Sequence, residues 1–156
     1  MMIESLIIPE SFRQAAGHEI EANTNGCGPG GWLDLVVPDE FFGVDVSFAC
    51  QVHDWMYYKG RSWDDKIWAD IAFLHNLLTI ALEDYYEISD YKRVQRIRRC
   101  YAYYRAVERY GHYAFMSEVE GLRGREEVKA LLPENINVMI EDYEVFGGED
   151  PDNEYL

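Results

Sequence analysis

His53 and Asp54 stand side by side in the run Cys50-Gln51-Val52-His53-Asp54-Trp55-Met56-Tyr57. An imidazole can serve as a general base near neutral pH, and a carboxylate beside it is a hard oxygen ligand for a cation. On a helix, His53 and Tyr57 are four apart and share a face, as do Cys50 and Asp54. Taken alone, a His-Asp pair reads equally well as a core histidine beside a surface aspartate. Asp70 is flanked by apolar residues in Trp68-Ala69-Asp70-Ile71-Ala72-Phe73. A carboxylate in that setting is expected to be buried, and a buried carboxylate needs partners. Its alternative is an acid that snorkels or caps. The third feature is Asn25-Gly26-Cys27-Gly28-Pro29-Gly30-Gly31. Glycines let the backbone take positive φ and turn successive carbonyls inward, toward a hard cation such as Ca²⁺. The same loop can cradle an anion on its amides, or be a plain tight turn.

For these residues to meet, two helices must fold back on each other. Phe48, Val52, Trp55 and Met56 recur at three- and four-residue spacing, predicting a helix from Val46 to Tyr58. Asp45 is its expected N-cap and Gly60 its expected C-terminal glycine. Ser62, with Asp65 three residues on as a loose capping box, starts a second helix from Trp63 to about Leu82. Its expected buried stripe is Ile67, Phe73, Leu74, Leu77, Leu78 and Ala81. His53 lies seven residues before Gly60 and Asp70 eight after Ser62, so an antiparallel hairpin brings them to one height.

After a polar break with Ser89 or Asp90 as the next cap, a third helix is expected from about Tyr91 to Phe115. Residues 17–31 hold five of the twelve glycines and read as loop. The strand pattern is limited to a short pair around Leu33–Val37 and Asn137–Ile140. Residues 141–156 carry seven acids and no base, an acidic tail expected to be mobile. The expectation is a mainly α protein, with residues 1–140 forming one helical domain.

The 156 residues carry a formal net charge of −15, which argues against a nucleic-acid partner. Charge is uneven, however: residues 92–109 hold seven bases and one acid. Lys92, Arg93, Arg96, Arg99 and Arg105 are therefore expected either to meet anionic head groups or to pair with the surplus acids. The N-terminus has neither a basic n-region nor a long apolar run, so no signal peptide is expected. Three cysteines allow at most one intramolecular bridge; on composition alone, three reduced buried thiols are preferred.

Together these motifs resemble the secreted phospholipase A2 superfamily, in the manner of its small, disulfide-poor bacterial and viral members. Cys27-Gly28-Pro29-Gly30-Gly31 resembles its calcium loop, C-G-x-G-G. Cys50, His53, Asp54 and Tyr57 match its C-x-x-H-D-x-x-Y helix, and Asp70-Ile71-Ala72-Phe73 resembles the segment carrying its orienting aspartate. The match covers about residues 24–80. It implies a core of two antiparallel helices and a glycine-rich calcium loop, beside which the third long helix is expected. It also implies Ca²⁺-dependent hydrolysis of the sn-2 ester of glycerophospholipids at a membrane surface. His53 would be the base, Asp70 its orienting partner, and Tyr57 a hydrogen-bond donor to Asp70. Ca²⁺ would be held by Asp54 and the carbonyls of Gly26, Gly28 and Gly30, with the Gly28 amide facing the oxyanion. Cys27 and Cys50 match a pair that forms a disulfide in the family.

Two departures matter. The chain has far fewer cysteines than secreted relatives, Met56 standing where animal enzymes place one. A site of one carboxylate and neutral carbonyls is expected to bind Ca²⁺ in the ~0.1–1 mM range, too weakly for resting cytosol. The protein is thus expected either to stay inactive in the cytoplasm of the producing cell or to leave by a non-signal route such as a toxin, virion or phage particle. A second expectation is a catalytically silent calcium-binding or structural protein of the same fold. A third, ranked last, is a transition-metal phosphohydrolase using His18, His53, Asp54 and Asp142.

Overall fold

Apolar spacing, short connections and two close helix contacts build the molecule around three helices. The computed structural model describes residues 3–24 and 38–120. Two short helices, α1 (Glu10–Gln14) and α2 (Gly17–Asn23), lead the chain. A two-residue hairpin, β1 (Glu40–Phe41) and β2 (Val44–Asp45), precedes α3 (Ser47–Lys59), α4 (Trp63–Ala81) and α5 (Asp90–Glu120). The molecule is mainly helical. The expected loop 25–31, the strand pair 33–37 with 137–140 and the acidic tail 141–156 lie outside the described residues.

α3 and α4 are joined by only Gly60-Arg61-Ser62, so they lie side by side as a hairpin, and α5 packs across both. At the start of α4 the capping box is complete. Ser62 Oγ accepts the Asp65 amide at 3.2 Å and Asp65 Oδ2 accepts the Ser62 amide at 3.1 Å. The start of α3 differs from expectation. The helix begins after Val46, and Asp45 belongs to β2, from where its carboxylate still accepts the Ser47 amide at 2.8 Å.

Gly60 ends α3, but not through a left-handed conformation: its φ is −65°. The reason for glycine is contact. A Cβ there would stand 2.5 Å from Cε2 of Phe115 on α5. The side chain is absent so that α5 can seat against the corner of the hairpin.

The principal core joins Ala49, Cys50, Tyr57, Ala69, Phe73, Leu77, Ile80, Cys100, Tyr103, Ala106, Val107 and Phe115. Ile67, expected in the buried stripe, instead faces outward at 53% exposure. Phe12, Val52 and Trp55 form a smaller cluster under α1, where Trp55 donates its ring N–H to Ser11 Oγ at 3.0 Å. The N-terminal segment is clasped by the buried side chain of Asn76. Its Oδ1 accepts the Ile7 amide at 2.7 Å and its Nδ2 donates to the Ile7 carbonyl at 2.9 Å.

Arg96 explains much of the basic stretch on α5. It is buried, donating to the Phe42 carbonyl at 3.0 and 3.2 Å, to the Ala81 carbonyl at 2.9 Å and to Asp84 at 2.5 Å. Phe42 and Gly43 are the central residues of the hairpin turn, with φ of 47° and 77°. Gly43 takes that conformation readily, while Phe42 is strained and is held there by the arginine. Arg93 pairs with Asp90, and Arg105 with Glu108 at 3.2 Å. Intramolecular pairing therefore accounts for Arg96, Arg93 and Arg105. No helix among the described residues is long and apolar enough to cross a membrane.

Candidate active site

The hairpin brings His53 and Asp70 together. His53 Nε2 lies 2.9 Å from Asp70 Oδ1, and the Tyr57 hydroxyl donates to the same oxygen at 2.7 Å. Asp70 Oδ2 accepts the Lys66 ammonium at 2.6 Å. Lys66 also donates to the carbonyl of Val107 on α5 at 3.2 Å. All four side chains are buried; Asp70 is 4% exposed and Lys66 5%. Groups from α3 and α4 thus converge on one carboxylate, and α5 joins them through Lys66.

The electrostatics follow from that convergence. Burial is the largest single influence on Asp70 and pushes its pKa up. The hydrogen bond and charge of His53, then those of Lys66, outweigh it and hold the carboxyl below its ordinary value. An ionised carboxylate only accepts, so Nε2 of His53 carries the proton between them. In the neutral ring the lone pair then sits on Nδ1. Tyr57 stays protonated: burial first, then the charge and hydrogen bond of Asp70, then the charge of Asp54, push its pKa well up. The phenol is accordingly a fixed donor.

His53 is held between two rings, with centroids 4.1 Å from Tyr57 and 4.5 Å from Phe73. Its Nδ1 is enclosed and finds no hydrogen-bond partner among the described residues. A buried imidazole normally satisfies both nitrogens. Here one is fixed by a carboxylate, and the other has a lone pair that no described residue engages, so it could accept a proton.

Two residues that sequence reasoning did not single out shape this site. Lys66 precedes Asp70 by one helical turn, and that spacing was its only local signal. Gly111 lies within α5, where a Cβ would stand 2.4 Å from the Tyr57 hydroxyl oxygen. Glycine inside a helix costs about 0.5–1 kcal/mol relative to alanine. Here that cost leaves room for the phenol to reach Asp70.

Asp54 sits beside His53 on α3, half-buried. Gly26, Gly28 and Gly30, its expected co-ligands, lie outside the described residues, as does Cys27. Cys50 is disulfide-bonded, whereas Cys100 is a free buried thiol whose pKa burial pushes up to about 12. The bonded Cys50 corrects the composition-based preference for three reduced thiols. His18 is exposed on α2, and Asp142 lies outside the described residues. Among the described residues no group of three or more His, Cys, Asp or Glu side chains could hold a metal. The calcium site expected from the sequence is of another kind, one carboxylate with main-chain carbonyls.

A cavity of about 300 Å³, lined in part by Asp70, opens between α4 and α5. Trp63, Lys66, Ile67, Asp70, Tyr104 and Glu108 are among its walls. Trp63 and Ile67 continue with Trp68 and Ile71 as an exposed apolar face of α4; Trp68 is 65% exposed. Comparison of the chain with protein-family models, with curated proteins and with solved structures finds no match.

Proposed function

We propose that the chain is a calcium-dependent, phospholipase A2-like hydrolase that cleaves the sn-2 ester of glycerophospholipids. The observation that carries this reading is the 2.9 Å His53–Asp70 pair, with the opposite ring nitrogen, Nδ1, finding no hydrogen-bond partner among the described residues. It combines with the glycine-loop and His-Asp motifs, whose order and spacing resemble that family. The apolar face bearing Trp63, Ile67, Trp68 and Ile71 suits a substrate at a lipid–water boundary.

In this mechanism Nδ1 of His53 takes a proton from a water as its oxygen attacks the ester carbonyl carbon. Asp70 holds the Nε2–H and balances the imidazolium that forms, the role of the third group in hydrolytic triads. Tyr57 keeps Asp70 Oδ1 aimed at the ring. The imidazolium then returns its proton to the departing alkoxide, giving a lysophospholipid and a fatty acid. By the resemblance, Asp54 and the carbonyls of Gly26, Gly28 and Gly30 would hold Ca²⁺ through oxygen donors alone, and the ion would supply Lewis-acid polarisation of the ester carbonyl. The Gly28 amide is assigned to the developing oxyanion.

The second reading is a catalytically silent calcium-binding or interaction protein of similar build. The enclosure of His53, whose side chain is 0% exposed, is what favours it. One experiment separates them: fatty-acid release from sn-2-labelled phospholipid vesicles with and without calcium, for the native chain and His53→Gln. Calcium-dependent release that disappears in the variant supports hydrolysis. No release by the native chain on any lipid surface supports the silent protein.

A further inference from the structure

Lys66 is a buried cation with no part in the proton transfers just described. Its ammonium lies between two acceptors on different helices, Asp70 Oδ2 on its own α4 and the Val107 carbonyl on α5. An aspartate carboxyl turns about a broad, roughly two-fold torsion. Contacts at Oδ1 alone therefore leave its plane free to swing. With His53 and Tyr57 on Oδ1 and Lys66 on Oδ2, both oxygens are engaged and the plane is fixed. The lysine also supplies a counter-charge that an enclosed carboxylate needs in order to remain ionised.

We propose that Lys66 is the positioning residue of the His53–Asp70 pair, holding the carboxylate so that His53 keeps its proton on Nε2 and its lone pair on Nδ1. Because the ammonium also grips Val107, the seating of α5 is communicated to the histidine ring. The kinetic consequence rests on the hydrolytic reading above; the tautomer does not.

The test uses the full chain labelled with ¹⁵N-histidine, the His53 signals being assigned by their loss in His53→Gln. Ring-nitrogen shifts report which nitrogen carries the proton, beside turnover on phospholipid vesicles. The native chain is expected to show one Nε2–H tautomer. Lys66→Met is expected to show a mixture of tautomers, a fall in kcat of about 10- to 100-fold and an unchanged KM.

Lys66→Ala adds a chemical rescue, since the cavity beside Lys66 and Asp70 admits a small amine. Ethylammonium, which donates hydrogen bonds, is expected to restore the single tautomer, and tetramethylammonium, which does not, is expected to fail. A folded Met or Ala variant that keeps the single Nε2–H tautomer overturns the proposal, as does equal rescue by both cations. If both neutral variants unfold, Lys66→Arg decides: a single native tautomer supports the proposal and a mixture overturns it. A native chain without esterase activity would remove the hydrolytic reading and leave the tautomer test intact. Conversely, an unchanged tautomer in a chain that hydrolyses lipid would remove only Lys66.

Discussion

Gly111 leaves the space that the Tyr57 hydroxyl fills: a Cβ at that position would come within 2.4 Å of the phenol oxygen. The contact couples the middle of α5 to the carboxylate of Asp70, because the same hydroxyl donates to Asp70 Oδ1.

Gly111→Ala is therefore expected to destabilise the protein, although alanine is the better helix former by about 1 kcal/mol. Tyr57→Phe removes the oxygen that clashes. In a double-mutant cycle by urea unfolding, the pair should cost less than the sum of the single changes. Additive costs would show that the phenol simply moves aside.

Asp70→Asn should cost about 3–5 kcal/mol in unfolding free energy, because it leaves the Lys66 ammonium buried without its counter-charge. The amide offers one oxygen where three donors converge, and its NH₂ group faces donors. A loss below about 1 kcal/mol would mean that Lys66 escapes to water in the variant.

The hairpin and the His53–Asp70 meeting were legible because apolar spacing marked two helices and three residues join them. Distance along the chain then translated into height along the pair. Spacing placed Tyr57 on the same face as His53, while its bond to Asp70 was expected only from the resemblance. Lys66 was not legible, since a lysine on a helix is by default a solvated one; only its burial against Asp70 and Val107 makes it part of the site. Gly111 was hidden for another reason. Its significance lies in what Tyr57 occupies, a relation between helices that no local pattern carries. Ile67 fitted the periodicity of the buried stripe, yet it lines the open cavity between α4 and α5 and stays exposed.

Asp70 also sets an acid limit. Its folded pKa is depressed, so its contribution is fully present above about pH 5. It is lost as pH falls past the unfolded value of about 3.9 toward the lower folded one. The stability gap between the native chain and Asp70→Asn should shrink over that window in urea titrations. A gap constant down to pH 2.5 would contradict it.

Cys100 should resist alkylation in the folded protein at pH 8, because burial pushes its thiol pKa up to about 12 and encloses the sulfur. With Cys50 in a disulfide, intact-mass analysis after unfolding without reductant should find one alkylated thiol, and three after reduction. Rapid modification of the native chain would show that α5 opens readily.

Calcium should bind with a Kd of ~0.1–1 mM in calorimetry, and Asp54→Ala should abolish the heat. Submicromolar affinity would remove the link between calcium supply and activity.

Asn76 treats Ile7 as backbone only, giving and receiving one hydrogen bond at the main chain. The anchorage of the N-terminal segment is therefore blind to the side chain at position 7. Substitutions there can drift freely without unfastening the segment, with proline, which has no amide hydrogen to offer, as the one residue that removes the bond to Oδ1.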